Sequence, residues 1–284
     1  MRLVEISFSC IYGGMNDMKL QYPVLSDLLI AADEPAPTVG ERAEGVSPML
    51  LIADHAGNLV PRSLQRLGLP QAELDRHMGM DIGILGVSHR LSELLDATLI
   101  HQRYSRLVIG CNRYPQYESA FAAMSDQTCV PGNAGLTVAD AARRSTEIFM
   151  PYHAAIAREL DQRQDSKRPT ALIAIHSFTP HHKVLSAARA WPIAILFNRD
   201  TITAHRLINA LRDEAGLNVG VSEPYKVVDE SEYSKLVHGE QRDIPVVEIE
   251  IRQDPITTVA DQQKWASLLK PILRRAVDEV LGGR

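Results

Sequence analysis

The feature that most constrains this chain is a series of short apolar runs, each closed by polar residues and separated by segments of helical length. Met49-Leu50-Leu51-Ile52-Ala53 runs into Asp54-His55, and Ala171-Leu172-Ile173-Ala174-Ile175 runs into His176. Apolar runs this short, bounded by turn residues, read as buried strands. Further strands are expected over 97–101, 107–111, 192–197 and 244–251. Helical spacing predicts helices over 82–95, 137–163, 201–214 and 260–281. Thr137 suits the start of the second helix, with Asp140 as its capping partner, and Pro151 should kink or split that helix. Strands alternating with helices of this length define an α/β fold, a three-layer α/β/α arrangement around a mixed, largely parallel sheet.

At 284 residues and 45% hydrophobic content, the chain can fill one large α/β core. Residues 1–45 read as an N-terminal extension or loop and 46–284 as a single domain. The stretch 33–47 is rich in Pro, Gly and acidic residues and reads as a loop; 116–135 reads as a long functional loop. The net charge of −5 gives no sign of the basic face that nucleic-acid binding requires, and neither a nucleic-acid nor a membrane partner is expected, although a local basic pocket for a small anion is compatible with it. The apolar run near the N-terminus is broken by Glu5, too short for a membrane span and poor as a signal peptide. Cys10, Cys111 and Cys129 form no CxxC pair and read as reduced thiols, which suits a cytoplasmic location. An oligomer is compatible with all of this.

His55 and His176 occupy matching places, each at the end of an apolar strand. Ligands of open α/β sheets bind at those strand ends, and two imidazoles delivered there can share one metal. A His after a strand is by itself more often a loop or core residue; the pair is what raises the metal reading. A catalytic zinc takes three protein ligands and leaves a position open. Asp81 is the chosen third ligand, although an Asp there could equally cap a helix; Asn58 is a weaker alternative. Asp54 could bind the ion or orient an imidazole. Within Val246-Val247-Glu248-Ile249-Glu250-Ile251-Arg252, alternation turns Glu248 and Glu250 to one face. Two carboxylates on a buried strand are costly unless paired or functional, and a Glu beside a metal-bound water is a suitable general base. Arg106, Asn112 and Arg113 flank a short apolar segment, and Arg grips carboxylates in a two-pronged fork. Asn198-Arg199 repeats the dipeptide and shows how little it means alone.

Together, Asp54–Pro61, Arg76–Gly83, Tyr104–Arg113, His176–Pro180, Glu223-Pro224-Tyr225 and Glu250–Asp254 resemble the N-formylglutamate amidohydrolase family, in the family's order. The resemblance implies a fold similar to zinc-dependent exopeptidases. It implies His55 and His176 as ligands of Zn2+ or another divalent metal, Glu250 rather than Glu248 as base, and Asn112, Arg113 and Arg106 as a carboxylate clamp. Tyr225 and His238 are further candidates for substrate contact. The implied partner is a small N-acyl amino acid. One departure is clear: the exopeptidases place a Glu three residues after the first His, where this chain has Asn58. Two alternatives follow, a related deacylase or carboxypeptidase-like hydrolase, and a metal-free binding protein. No GxSxG occurs, and neither Cys111 nor Cys129 sits in a motif that would link it to a His, so a nucleophilic mechanism has no support.

Overall fold

The apolar runs do become the central strands. Met49–Ala53, Ala171–Phe178 and Ile193–Leu196 are buried at every position, as expected of strands covered on both faces. In the computed structural model, which describes residues 3–6, 20–23, 28–181, 189–223 and 232–283, the strands in chain order are β1 (Leu3–Ile6), β2 (Leu20–Pro23), β3 (Thr38–Glu41), β4 (Met49–Ala53), β5 (Thr98–Gln102), β6 (Met124–Ser125), β7 (Thr128–Cys129), β8 (Ala171–Phe178), β9 (Ile193–Leu196), β10 (Val219–Val221) and β11 (Val246–Arg252). The helices are α1 (Gln71–Leu74), α2 (Ile84–Leu95), α3 (Val138–Arg144), α4 (Met150–Asp165), α5 (Thr201–Asp213), α6 (Ser234–His238) and α7 (Val259–Gly282).

Seven strands form one sheet in the order β10-β9-β11-β8-β4-β5-β3. Four of its six neighbouring pairs are parallel, while β9–β11 and β3–β5 are antiparallel. The sheet is therefore mixed and largely parallel. Side-chain alternation splits the core in two. Leu51, Ile173, Ile195, Val247 and Ile249 pack with α2, α5 and α7 on one face. Leu50, Ile52, Leu172 and Ala174 pack on the other face with residues of α4 and the segments around 104–111. Helices thus flank the sheet on both sides.

Several local expectations need correction. The run 107–111 is not a strand. Ser105 nucleates a turn there, with Val108 N donating to its carbonyl and Leu107 N to its hydroxyl. Leu107, Val108, Ile109 and Cys111 are still buried, while Asn133 and Arg144 side chains donate to the Leu107 and Val108 carbonyls. Burial satisfies the apolar side chains and side-chain donors satisfy the backbone, so no neighbouring strand is needed. The stretch 33–47 contains β3, a four-residue edge strand too short to show a pattern. Within 116–135, β6 and β7 pair as a small hairpin. The Thr137–Asp140 capping box forms. Pro151 sits in the first turn of α4, and the backbone stays helical from α3 into α4 through one π-helical stretch, Ser145–Phe149, so in place of the expected kink or split there is a local widening of the helix. His176 lies within β8 rather than beyond its end, because the ladder with β11 continues to Phe178.

Gly83 starts α2 with φ at 78°, and a Cβ there would collide with the Ile256 carbonyl oxygen. Only Gly meets both demands. Replacing it (Gly83→Ala) is expected to cost about 2 kcal/mol or more, seen as a clear drop in the thermal midpoint of unfolding.

Candidate active site

Parallel pairing brings the C-terminal ends of β4, β8 and β11 side by side, and the chemistry-bearing residues gather there. His55 follows β4 directly. His176 sits near the end of β8, in register with Glu250 on β11. Asp81 comes from the loop before α2 and is tied to this end of the sheet by its backbone N–H, which donates to the His55 carbonyl at 2.9 Å. The structure brings His55, Asp81 and His176 together, all buried, with one donor atom from each within 4.8 Å of the others.

The hydrogen bonds around this trio are specific. His176 Nδ1 lies 2.8 Å from Asp81 Oδ2, and His176 Nε2 lies 3.1 Å from Asp54 Oδ2. Ser234 donates to the other oxygen of Asp54 at 2.8 Å, and Arg106 Nη1 donates to Asp81 Oδ1 at 3.1 Å. Burial alone would depress the His176 pKa, but the carboxylates of Glu248, Asp54 and Asp81 outweigh it and hold the ring well above its ordinary value. Asp54 and Asp81 likewise stay well below the carboxylate range despite burial, because His176 and His55 face them. His55 behaves differently. Burial and the charge of Arg106 push it down to about 4, so its ring is neutral.

Both ring nitrogens of His55 are buried without a hydrogen-bond partner. Such an orphaned atom costs about 1–3 kcal/mol. A divalent cation held by His55 Nδ1, Asp81 and His176 would satisfy one of them, and the donor set is of the type that zinc accepts. Asp54 would then take the remaining His176 N–H, the carboxylate support common behind metal-bound histidines. The residues present therefore fit a divalent cation. Asn58 does not join them; its side chain donates to Asp75 at 2.8 Å.

Glu248 and Glu250 share one face of β11 and are both buried, as alternation predicts, but they differ. Glu248 is paired with the buried Lys235, which also donates to Glu232 at 2.9 Å. Lys235 and His176 hold Glu248 below the usual range against the effect of burial. Glu250 Oε2 has no partner. Burial, then the charge of Glu248, push Glu250 up to about 8.

Arg106, Asn112 and Arg113 line one cavity of about 160 Å³, together with Met78, Leu107 and Gly110. Arg106 is one-third exposed and reaches from this cavity to Asp81. Asn112 is fixed by the Tyr233 N–H on its carbonyl, and its side-chain oxygen is buried without a partner. Asn198 and Arg199 engage Glu240 and stand apart from this cavity's lining. Tyr225 lies outside the described residues. His238 bonds to His153, which donates to the Cys111 carbonyl; all three residues are buried. Burial pushes the Cys111 thiol far up, which denies it a role as nucleophile. Lys235, Glu232, Ser234 and His153 escaped the sequence reading. They carry no motif, and only the fold brings them to the strand ends.

A largely parallel sheet with two imidazoles and a carboxylate poised for a divalent cation, beside a buried unpaired Glu, defines a hydrolase class of site. The sequence matches the family model described as N-formylglutamate amidohydrolase across residues 47–257. The crystal structure of a gene product from Agrobacterium tumefaciens superposes with a TM-score of 0.84 at 31% identity, covering 89% of this chain and 99% of that one. An N-formylglutamate amidohydrolase from Ralstonia eutropha JMP134 gives 0.65 at 20% identity, over 87% of this chain and 99% of that one; that likeness speaks for the fold. No curated protein sequence gives a significant match. The chain belongs to the N-formylglutamate amidohydrolase family, and so stands among the amidohydrolases.

Glu250 gives the site a pH signature in chelated protein. Its folded pKa is raised, so its contribution is present below pH 4.5 and is lost as pH rises through about 8. His55, depressed to about 4, works in the opposite sense, but only below about 6.5. Between about 6.5 and 8 Glu250 therefore makes stability fall with pH, and His176 adds in the same direction. Glu250→Gln should make this slope shallower by about 1.4 kcal/mol per pH unit. Denaturant unfolding of both proteins at the two pH values checks this; equal slopes would remove Glu250 from the account.

Proposed function

We propose that this protein hydrolyses N-formyl-L-glutamate, or a close N-acyl amino acid, to the free carboxylic acid and the amino acid. The observation that carries the reading is the trio of His55, Asp81 and His176 beside the unpaired Glu250. His55, Asp81 and His176 would hold Zn2+ or another divalent cation, which supplies Lewis acidity toward water and a carbonyl oxygen when bound. Glu250 then takes a proton from water as its oxygen adds to the acyl carbon, and delivers that proton to the nitrogen as the C–N bond breaks. A nearby positive charge lowers a carboxyl pKa, so Glu250, at about 8 without the cation, becomes a competent base with it. Asn112 and Arg113 grip the substrate carboxylates. Arg106 bridges Asp81 and the cavity, and shares in balancing charge on the carbonyl oxygen.

The cavity of about 160 Å³ is smaller than the ~300–1,000 Å³ pockets that hold drug-sized ligands, and this favours an amino-acid-sized substrate. The mixed sheet with its site at the strand ends supports a zinc exopeptidase-like fold, with residues 46–284 as one catalytic domain. The free thiols Cys111 and Cys129 support a reducing, cytoplasmic setting. Among the described residues no helix is long and apolar enough to cross a membrane.

Formate release from N-formyl-L-glutamate should disappear on chelation and return with zinc. Metal-restored cleavage of other N-acyl amino acids alone would move the substrate; no cleavage of any would sink the reading. Glu250→Gln should lower kcat by about 100-fold or more while its cation content stays near wild type. Arg113→Lys keeps the charge but not the fork, and should raise KM about tenfold with a smaller effect on kcat, as steady-state kinetics would read.

A further inference from the structure

Besides Met78, the cavity that holds Arg106, Asn112 and Arg113 is lined by residues of two stretches of chain, 106–113 and 119–125. Two ties join them. Gly110 N donates to the Ala120 carbonyl at 2.8 Å. The buried Asn133 uses its amide on both stretches: Nδ2 donates to the Leu107 carbonyl and to the Ala122 carbonyl, each at 2.9 Å. Leu107 and Ala122 both line the cavity, so this one side chain fixes how far apart the two stretches stand. A third residue holds Asn133 in turn. Arg144, on α3, donates through Nη1 to Asn133 Oδ1 at 2.5 Å and to the Val108 carbonyl at 3.1 Å, and through Nη2 to the Gly132 carbonyl at 2.9 Å.

A neutral donor could serve such acceptors. Arg144 is a cation, 2% exposed, and among the described residues no carboxylate pairs with it. Asp140, one turn earlier on α3, is partly exposed and is engaged by Thr137 and Arg143. Other buried cations are neutralised: Arg163, buried to the same degree, has Glu159 at 2.6 Å, and Lys235 has Glu232 and Glu248. Carbonyl dipoles solvate a guanidinium without neutralising it, and Arg144 Nε has no partner at all. A buried charge without a counter-ion is costly. Burial pulls the guanidinium down to about 10, so it still carries its charge at neutral pH. Its partner Asn133 bonds directly to Leu107 and Ala122, so one residue separates this charge from the cavity. An anion bound there meets it across protein rather than water, where attraction between charges is stronger.

We propose that Arg144 is a specificity-determining residue: its buried charge, held behind the cavity by Asn133, favours a substrate with two carboxylates over one with a single carboxylate. This rests on the reading of the cavity as the seat of an N-acyl amino acid. Arg144 touches no substrate atom. It acts through its field, and through Asn133 on the width of the cavity.

The test compares N-formyl-L-glutamate with N-formyl-L-glutamine, which has the same shape and one negative charge fewer. In zinc-loaded Arg144→Gln, kcat/KM should fall about tenfold more for the glutamate substrate than for the glutamine one. The loss should lie in KM, with zinc content near wild type. Arg144→Lys keeps the charge without the fork and should keep the preference for glutamate, with both KM values raised. A purely structural tie would lower both substrates alike in Arg144→Gln, and that outcome, or no loss at all, would overturn the proposal. Wild type alone gives a second measurement, independent of how the variants fold. A buried charge is poorly screened, so the preference for glutamate should persist at ~0.5 M salt; its collapse there would also overturn the proposal. Turnover of neither substrate by wild type would count against the hydrolase reading instead. Calorimetric binding of L-glutamate against L-glutamine then reads the same charge difference in wild type and both variants, and equal binding of the two by wild type would overturn the role of Arg144.

Discussion

The ladder between β8 and its two neighbours is the constraint on which the site depends. Parallel pairing with β4 and with β11 aligns three strand ends. His55, His176 and Glu250 then meet without any long loop having to carry them. A shift of β8 by one residue would turn His176 to the opposite face, toward α2, α5 and α7. That outcome is opposed by every buried side chain on the strand, so the same packing that stabilises the sheet fixes the geometry of the centre. The charged groups are tolerated there because each has a partner in reach. Lys235 offsets Glu248 and Glu232, and Asp54 and Asp81 share His176. Glu250 has no such partner, and His55 Nδ1 stands 3.5 Å from Asp81 Oδ2 without a hydrogen bond; buried polar groups left so call for an explanation.

How much of this was legible before the structure is best judged residue by residue. The central strands were plain because burial on both faces leaves an uninterrupted apolar run. Both histidines were legible because each ends such a run. Glu248 and Glu250 were legible as a pair from alternation, but their division of labour was not. It depends on Lys235, which approaches from α6, a helix of five residues without a sequence signal. The segment 104–113 was singled out for a partly wrong reason. Its apolar residues read as a strand, whereas they fill the core from a turn whose carbonyls are served by Asn133 and Arg144. β3 was hidden by its Pro- and Gly-rich surroundings. What sequence pattern supplies is which residues are buried; what it withholds is which distant side chain neutralises them.

The position of His176 has a consequence for order within the centre. Carboxylates hold its ring at both nitrogens, Asp81 at Nδ1 and Asp54 at Nε2, and Ser234 holds Asp54 in turn. A ring gripped on both edges cannot turn about its Cβ–Cγ bond without breaking two buried hydrogen bonds, so the strand ends themselves fix its orientation.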